Sequence, residues 1–502
     1  MLFNYDDTSK NSIYQYAKKL EGMTFNDILD EYNKSAQKYY VNPYIEDYSV
    51  SERKPKYDIP AKIPSGKAKG QLGNFLERFY FGYFPNGVQD ADFSGTGIEL
   101  KQTPIDLKKN GEYTAGERLS ITNISYKEPV QEEFYKSHVW SKIKLILLVH
   151  YLRDKSKDRM DYQIKYVNLF SPPKDDLTII IEDYLKIIGK IQAGKAHELS
   201  ESDTMYLGAC TKGKTAKDST VPQYYGEHIP ARKRNFCFKR QYMEYVLQDY
   251  VLKNKVPCES IIAANKLDTH ATFEEQIIGL INKHIGQTDK QLCKQYNRPY
   301  NNNKAQWIDL AYRMLGIKGS HAEEFMKANI VVKAIRLEPN GHMRESMSLP
   351  TVQFKQLALE TYEESTFCRY FEETKFLFVI YKSNGTEYVL KGAQLWNMPA
   401  ADLYGDAQEG WQNIQDKIVN GIHFTVQANT VLNDLPSKSD NRIMHIRPHT
   451  AHSAYKLSNG FTKGDIAKDA DQLPNGDWMT RQSFWLNNDY IMSVLKLRIM
   501  SD

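Results

Sequence analysis

The sequence predicts an α/β protein made of two tandem copies of one domain. Its 502 residues exceed what a single hydrophobic core ordinarily holds. Apolar runs with helical spacing alternate with short β-type runs bounded by Gly and Pro. The second half also echoes the first, in the same order and at offsets of 230 to 264.

Residues 16–32 are spaced as an amphipathic helix pair, with Thr24 placed to cap a helix over residues 25–32. Residues 34–66 are rich in Tyr, Pro, Ser and Lys and read as an extended excursion. Residues 75–83 have helical spacing, with Gly70 and Gly73 just before them. Gly95, Gly97 and Pro104 punctuate two short strand-like runs around Ile98-Glu99-Leu100-Lys101. Residues 139–151 form another buried element, and residues 243–251 a closing helix.

Gly22-Met23-Thr24 returns as Gly286-Gln287-Thr288, an offset of 264. Gly97-Ile98-Glu99-Leu100-Lys101 returns as Asn329-Ile330-Val331-Val332-Lys333, an offset of 232. Leu147-Leu148-Val149-His150-Tyr151 returns as Leu377-Phe378-Val379-Ile380-Tyr381, an offset of 230. Phe236, Tyr242, Val246 and Leu247 return as Phe484, Tyr490, Val494 and Leu495, an offset of 248. The fall from 264 to 232 is what the 34–66 excursion produces if only the first copy carries it. The expected organisation is a first domain over 1–255, a Lys-, Pro-, Ala- and Asn-rich linker over 256–272, and a second domain over 273–502.

Hydrophobic residues make up 41% and charged residues 25%, a globular rather than a disordered composition. The longest apolar run, residues 143–149, is broken by Lys144 and is too short to span a bilayer. The N-terminus has no basic-then-apolar signal pattern. Five scattered cysteines lack metal-type pairing and suggest reduced thiols. A bacterial cytoplasmic location is expected. Net charge is only +4, yet residues 207–240 carry eight Lys/Arg against Asp218 and Glu227, with Tyr224, Tyr225, Phe236 and Phe238 interleaved. Phosphate binding needs such a local basic surface more than a basic whole; a solvated charged loop is the other reading of this stretch.

Hydrolysing a phosphodiester requires a metal to offset charge on the phosphate and to acidify a water. Mg2+ takes one or two carboxylates and keeps waters and substrate oxygens. In Asp92-Phe93-Ser94-Gly95-Thr96-Gly97-Ile98-Glu99-Leu100-Lys101, a glycine-bearing turn separates Asp92 from a strand on which Glu99 and Lys101 share one face. Ile98 and Leu100 then face a core. Taken alone, the same pattern describes an edge strand with solvent-facing charges.

Glycine–aliphatic–Glu–Leu–Lys preceded by Asp resembles the core motif of the PD-(D/E)xK nucleases. More narrowly it is similar to the MutH-type endonucleases, which include the mismatch-repair enzyme and restriction enzymes that cut GATC. Gly73-Asn74-Phe75-Leu76-Glu77 looks like the family's preceding helix with its glutamate, and Lys101-Gln102-Thr103-Pro104 like the continuation of the core strand. Ser137-His138-Val139-Trp140-Ser141-Lys142 resembles the segment bearing a further functional lysine. Residues 194–200 and 206–213 resemble the part that enters the DNA major groove.

The resemblance implies two restriction-endonuclease-like domains, each a mixed central sheet flanked by helices. It makes Asp92 and Glu99 ligands of Mg2+, with Glu77 supporting them. Lys101 would orient or activate water, and Lys142 would contact the scissile phosphate region. Lys212, with Thr211, becomes the foremost DNA contact, and Lys214, Arg234 and Lys239 of the basic stretch are read as DNA contacts with it. Where the mismatch-repair enzyme has an arginine two residues before this lysine, the chain has Cys210; at its adenine-sensing tyrosine the chain has Cys237. These departures argue against a mismatch-repair role.

In the second copy, Glu99 corresponds to Val331, Asp92 to Glu324 and Lys142 to Glu372. That copy is expected to bind DNA without cutting, with Arg447 (opposite Cys210) and His449 as contacts. His445, His449 and His452 have a spacing that admits zinc, but Pro448 and the lack of acidic or cysteine neighbours favour a polar loop. The implied function is a type II restriction endonuclease cutting double-stranded DNA at GATC to leave 5′-phosphate ends. A cognate DNA methyltransferase, dimerisation on DNA or two-site looping would accompany it. A nicking endonuclease of repair and a non-catalytic DNA-binding regulator are the competing readings.

Overall fold

The computed structural model describes residues 3–40, 72–83, 91–130, 133–212, 220–254, 257–266, 271–301, 303–428 and 430–495. Residues 1–192 with 206–256 form one compact unit, and residues 193–205 with 257–502 a second.

The first unit opens with helices α1 (Lys10–Lys18), α2 (Phe25–Tyr40) and α3 (Gly73–Phe79). Thr24 caps α2 as its position predicts: its hydroxyl accepts from the Asp27 N–H at 3.1 Å, and the Asp27 carboxylate accepts from the Thr24 N–H at 2.7 Å. The helix runs eight residues beyond the expected end. The central sheet combines β1 (Glu99–Leu107), β2 (Tyr113–Ala115), β4 (Ile146–Leu152) and β5 (Gln163–Phe170) in the order β2-β1-β4-β5. Only the β1–β4 pairing is parallel, so the sheet is mixed. Residues 139–151, expected as one element, divide into α4 (His138–Ile143) and β4. Ile98, Leu100, Leu147 and Val149 share a core with Phe25, Phe75 and Leu76 from the helices.

A second sheet holds β3 (Leu119–Asn123), β6 (Leu207–Thr211) and β9 (Arg234–Phe238), with β9 in the middle. A two-strand ribbon, β7 (Thr220–Val221) with β8 (Ala231–Arg232), lies between β6 and β9 in sequence. Helix α5 (Lys174–Gln192) precedes β6, and α6 (Arg240–Tyr245) continues into a wider turn ending at Val251.

The second unit repeats this plan. It begins with α7 (Ile261–Asn265), α8 (Phe273–Asn282), α9 (Asp289–Gln295), α10 (Lys304–Met314) and α11 (Glu323–Ala328). The strands β10 (Ile330–Leu337), β12 (Lys375–Ser383) and β13 (Tyr388–Trp396) stand where β1, β4 and β5 stand. Glu99 lies beside Ile146, and Val331 beside Phe376, so the 232 and 230 offsets become one strand register. Both sheets even carry their irregularity at the same step, His150/Tyr151 and Ile380/Tyr381. The 264 offset is equally physical: Gly22 N–H donates to Ile164 O at 2.9 Å, and Gly286 N–H to Leu390 O at 3.0 Å.

The other sheet recurs as β11 (Met347–Thr351), β16 (Met444–Pro448) and β21 (Gln482–Leu486), counting a hairpin (β14, Phe424–Gln427; β15, Thr430–Asn433) and four short strands (β17, Tyr455–Lys456; β18, Thr462–Lys463; β19, Ala470–Gln472; β20, Trp478–Thr480) between them. Register pairs Cys210 with Asn235 and Arg447 with Ser483, which carries the 248 offset. The stretch 256–272, expected as a linker, contains α7. Glu324 ties it to its unit by accepting from Ser260 Oγ and from the Ile261 and Ile262 amides.

Candidate active site

The loop before β1 folds back on itself. Phe93 N–H donates to Ile98 O at 2.9 Å, and Gly97 N–H to Phe93 O at 2.8 Å. Gly97 has φ +70°, a left-handed conformation that side chains resist. The turn sets Asp92 beside the start of the strand: its N–H donates to Glu99 Oε2 at 3.2 Å, and its Oδ2 accepts from the Leu100 N–H at 2.9 Å.

The alternation of β1 places Glu99 and Lys101 together, opposite Ile98 and Leu100, as predicted. Lys101 Nζ meets Glu99 Oε1 at 2.8 Å. Lys142, in the last turn of α4, donates to Glu99 Oε2 at 2.9 Å. Ser137 orients that short helix by accepting from the Trp140 N–H at 3.1 Å. Glu99 is 2% exposed, so its charge depends on these two ammonium groups.

Glu77 of α3 belongs to the same electrostatic cluster. Burial, then the charge of Asp92, pushes its carboxyl up to about 7, with Lys101 opposing. Burial, then the charge of Glu99, raises Asp92 to about 6. Burial together with the repulsion among the carboxylates outweighs what the two lysines relieve, a condition that favours a bound cation. Oxygen donors of this kind suit a hard divalent ion. Among the described residues no three His, Cys, Asp or Glu groups form a ready cage. The chemistry of Asp92, Glu99 and Glu77 fits a divalent ion whose remaining shell would come from water and substrate.

The expected DNA contacts divide. Lys212 is exposed just beyond β6 and donates to Asn123 Oδ1 at 2.6 Å; Thr211 ends that strand. Lys214 lies outside the described residues. Arg234 and Lys239 require correction: both are interior, 3% and 1% exposed. Arg234 Nη1 donates to Ala209 O at 2.6 Å, bracing β9 against β6. Helix α6 begins directly after Lys239. Counting charges along 207–240 could not separate these inward positions from outward ones.

In the second unit, Val331 takes the place of Glu99 and Lys333 that of Lys101. Glu324 is turned to the amides of α7, and Glu372 accepts from the Tyr404 hydroxyl. His445 lies on β16 rather than in a loop, with Nδ1 2.6 Å from Asn487 Oδ1. Arg447 is exposed, its guanidinium 3.9 Å from the centre of the Trp485 ring, and the His449 ring centre is 5.9 Å from the same ring. Trp485 went unnoticed in the sequence although the 248 offset sets it at the position of Cys237.

Comparison with known proteins accounts for this arrangement. The family model for the DNA mismatch repair enzyme MutH matches residues 81–183, which contain Asp92, Glu99, Lys101 and Lys142. The type II restriction enzyme Sau3AI of Staphylococcus aureus is 31% identical over 455 residues, 85% of this chain and 92% of that enzyme. The chain belongs to the Sau3AI family of type II restriction enzymes. It is a nuclease of MutH-like fold, and enzymes of this fold are generally divalent-metal dependent. MutH proteins of Escherichia coli and Citrobacter koseri are 26% and 24% identical over 37% and 41% of the chain, covering 79% and 87% of their own length. Those MutH matches span less than half of the chain, whereas the Sau3AI match covers 85% of it. Among the described residues no helix is long and apolar enough to cross a membrane.

Proposed function

We propose that this chain is a Mg2+-dependent type II restriction endonuclease that cuts double-stranded DNA at GATC and leaves 5′-phosphate ends. The first unit cuts, and the second binds DNA as an effector without cutting. The observation that carries this reading is the contrast at one strand position: Glu99 held between Lys101 and Lys142, and Val331 in its place in the second unit. When bound, Mg2+ would acidify the attacking water and offset charge on the phosphate. Asp92 and Glu99 would hold the ion from the loop and the strand, and Glu77 would add negative charge to the same cluster. Lys101 orients the attacking water, and Lys142 steadies the scissile phosphate. Lys212 and Thr211 contact DNA.

In the second unit, Arg447 carried on Trp485, with His449, supplies DNA contacts. DNA occupancy there favours cleavage by the first unit, a coupling between two sites. One cutting unit per chain implies dimerisation on DNA or two-site looping, and protection of the host's own sites implies a cognate methyltransferase. A plasmid digest with Mg2+, comparing wild type with Glu99→Ala, tests the reading. Discrete double-strand fragments that vanish in the variant are expected. Nicks alone would point to a repair-type enzyme, and absence of cutting by wild type would overturn the catalytic assignment.

A further inference from the structure

The second unit lost the carboxylate of the catalytic strand but kept the lysine. In the first unit, Lys101 is committed to Glu99 at 2.8 Å. Lys333 occupies the same register position with Val331 two residues before it, and among the described residues no carboxylate pairs with it. Burial, then the neighbouring charge of Lys304, holds its ammonium below the ordinary lysine value. A partly buried cation without a counterion is unfavourable, and an anion delivered from outside relieves it.

The surroundings favour one class of anion. Lys333 lines an open cavity of about 270 Å³ together with Lys304, Arg336 and Arg344, four basic side chains in all. The acidic lining is Glu338 and Glu345. Glu345 lies 3.6 Å from Lys304, but both side chains are mostly exposed, so that pair is weak and replaceable. Arg336 is stiffened by two aromatic rings, 5.7 Å from the centre of Trp307 and 5.9 Å from that of Tyr388. Two ammonium groups, Lys333 and Lys304, that act on each other in a cavity with more basic than acidic lining suit a tetrahedral oxyanion. With Val331 in place of the glutamate, no metal ion is needed to bring the anion in.

We propose that this cavity is a metal-independent phosphate-binding site in which Lys333, with Lys304, holds a backbone phosphodiester of DNA directly. The proposal rests on the reading that the second unit binds DNA, and it assigns the relic of a catalytic site as one of the grips.

The test uses the full chain carrying Glu99→Ala, so that nothing is cut, with EDTA present. Binding of a labelled GATC duplex is followed by fluorescence anisotropy across a salt series. Lys333→Gln is expected to weaken binding about three- to tenfold and to reduce the slope of log affinity against log salt by about 0.9, the value for one phosphate contact. Lys333→Arg should restore most of both. Val331→Glu, which returns a carboxylate beside Lys333, should weaken binding as Lys333→Gln does. An unchanged slope in Lys333→Gln overturns the proposal. If Arg447→Ala still weakens binding in that case, the second unit binds DNA elsewhere; if neither variant does, the effector reading falls as well. Inorganic phosphate supplies the other arm: protection of the parent but not of Lys333→Gln against thermal unfolding, with duplex binding unchanged, would make this a small-anion site and refute the DNA assignment. Circular dichroism of each variant separates these outcomes from misfolding.

Discussion

Replacing Glu99 by Gln removes one negative charge and keeps the shape of the site, so its consequences can be worked from the contacts. Each carboxylate oxygen now receives one lysine, at 2.8 and 2.9 Å, and Oε2 also receives the Asp92 amide. The amide of Gln offers one oxygen and turns an NH2 toward the other lysine. A hydrogen bond to a charged group contributes about 1.5–3 kcal/mol, and breaking a buried pair outright costs about 3–5 kcal/mol. Part of this is returned, because Glu99 is a cause of the raised Asp92 carboxyl. A net loss of about 2–3 kcal/mol in metal-free stability is expected, read as a lower melting temperature in EDTA. Activity should suffer more. Loss of a metal ligand removes several kcal/mol of transition-state stabilisation, about a thousandfold in rate at ~4 kcal/mol. The assay is single-turnover cleavage of a duplex with Mg2+ beside the melt. Cleavage within tenfold of wild type, or an unchanged melting temperature, would refute the placement of Glu99 as a charged hub between two lysines and a metal ion.

Asp92 and Glu77 are both raised, so the folded metal-free protein retains protons that the unfolded chain releases. The stability contribution of these groups is therefore fullest near pH 4 and falls as pH rises through about 6 and about 7. A divalent ion must displace the same protons, so its affinity should climb across that window; calorimetry showing equal affinity at pH 5.5 and 7.5 would contradict the cluster. Gly97→Ala should cost about 1–2 kcal/mol for its left-handed backbone and lower cleavage by displacing Asp92 from Glu99, measured by melting and by rate. Arg447→Ala should leave cleavage of a one-site duplex largely intact and abolish stimulation by a second site in trans; equal loss on both substrates would argue against an effector role. Val331→Glu should create no second cutting centre, because Glu324 is committed to the amides of α7 and Glu372 opposes phosphate; restored cutting in a Glu99→Ala background would refute that.

Much of the site was legible because it is local. Asp92, Glu99 and Lys101 lie within ten residues, and strand alternation alone decides that Glu99 and Lys101 share a face. The duplication was legible because matching cores demand matching apolar spacing, and the 232 and 230 offsets became one strand register in the structure. Elements whose ends depend on distant packing were less visible. Residues 139–151 divide at a turn between α4 and β4, and the expected linker is recruited as α7 by a carboxylate some sixty residues away.

The sequence by itself determined the chemistry available at each position: which half keeps the strand carboxylate, and that an acidic pair and a lysine stand together. Tertiary structure decided which charges have partners and which face water. It brought Lys142 across 43 residues to Glu99, buried Arg234 and Lys239 that composition had assigned to DNA, and, among the described residues, left Lys333 without a paired carboxylate. The physical reason is that a side chain's charge is written in the chain, whereas its cost and its use depend on the solvent and counterions that only the fold supplies.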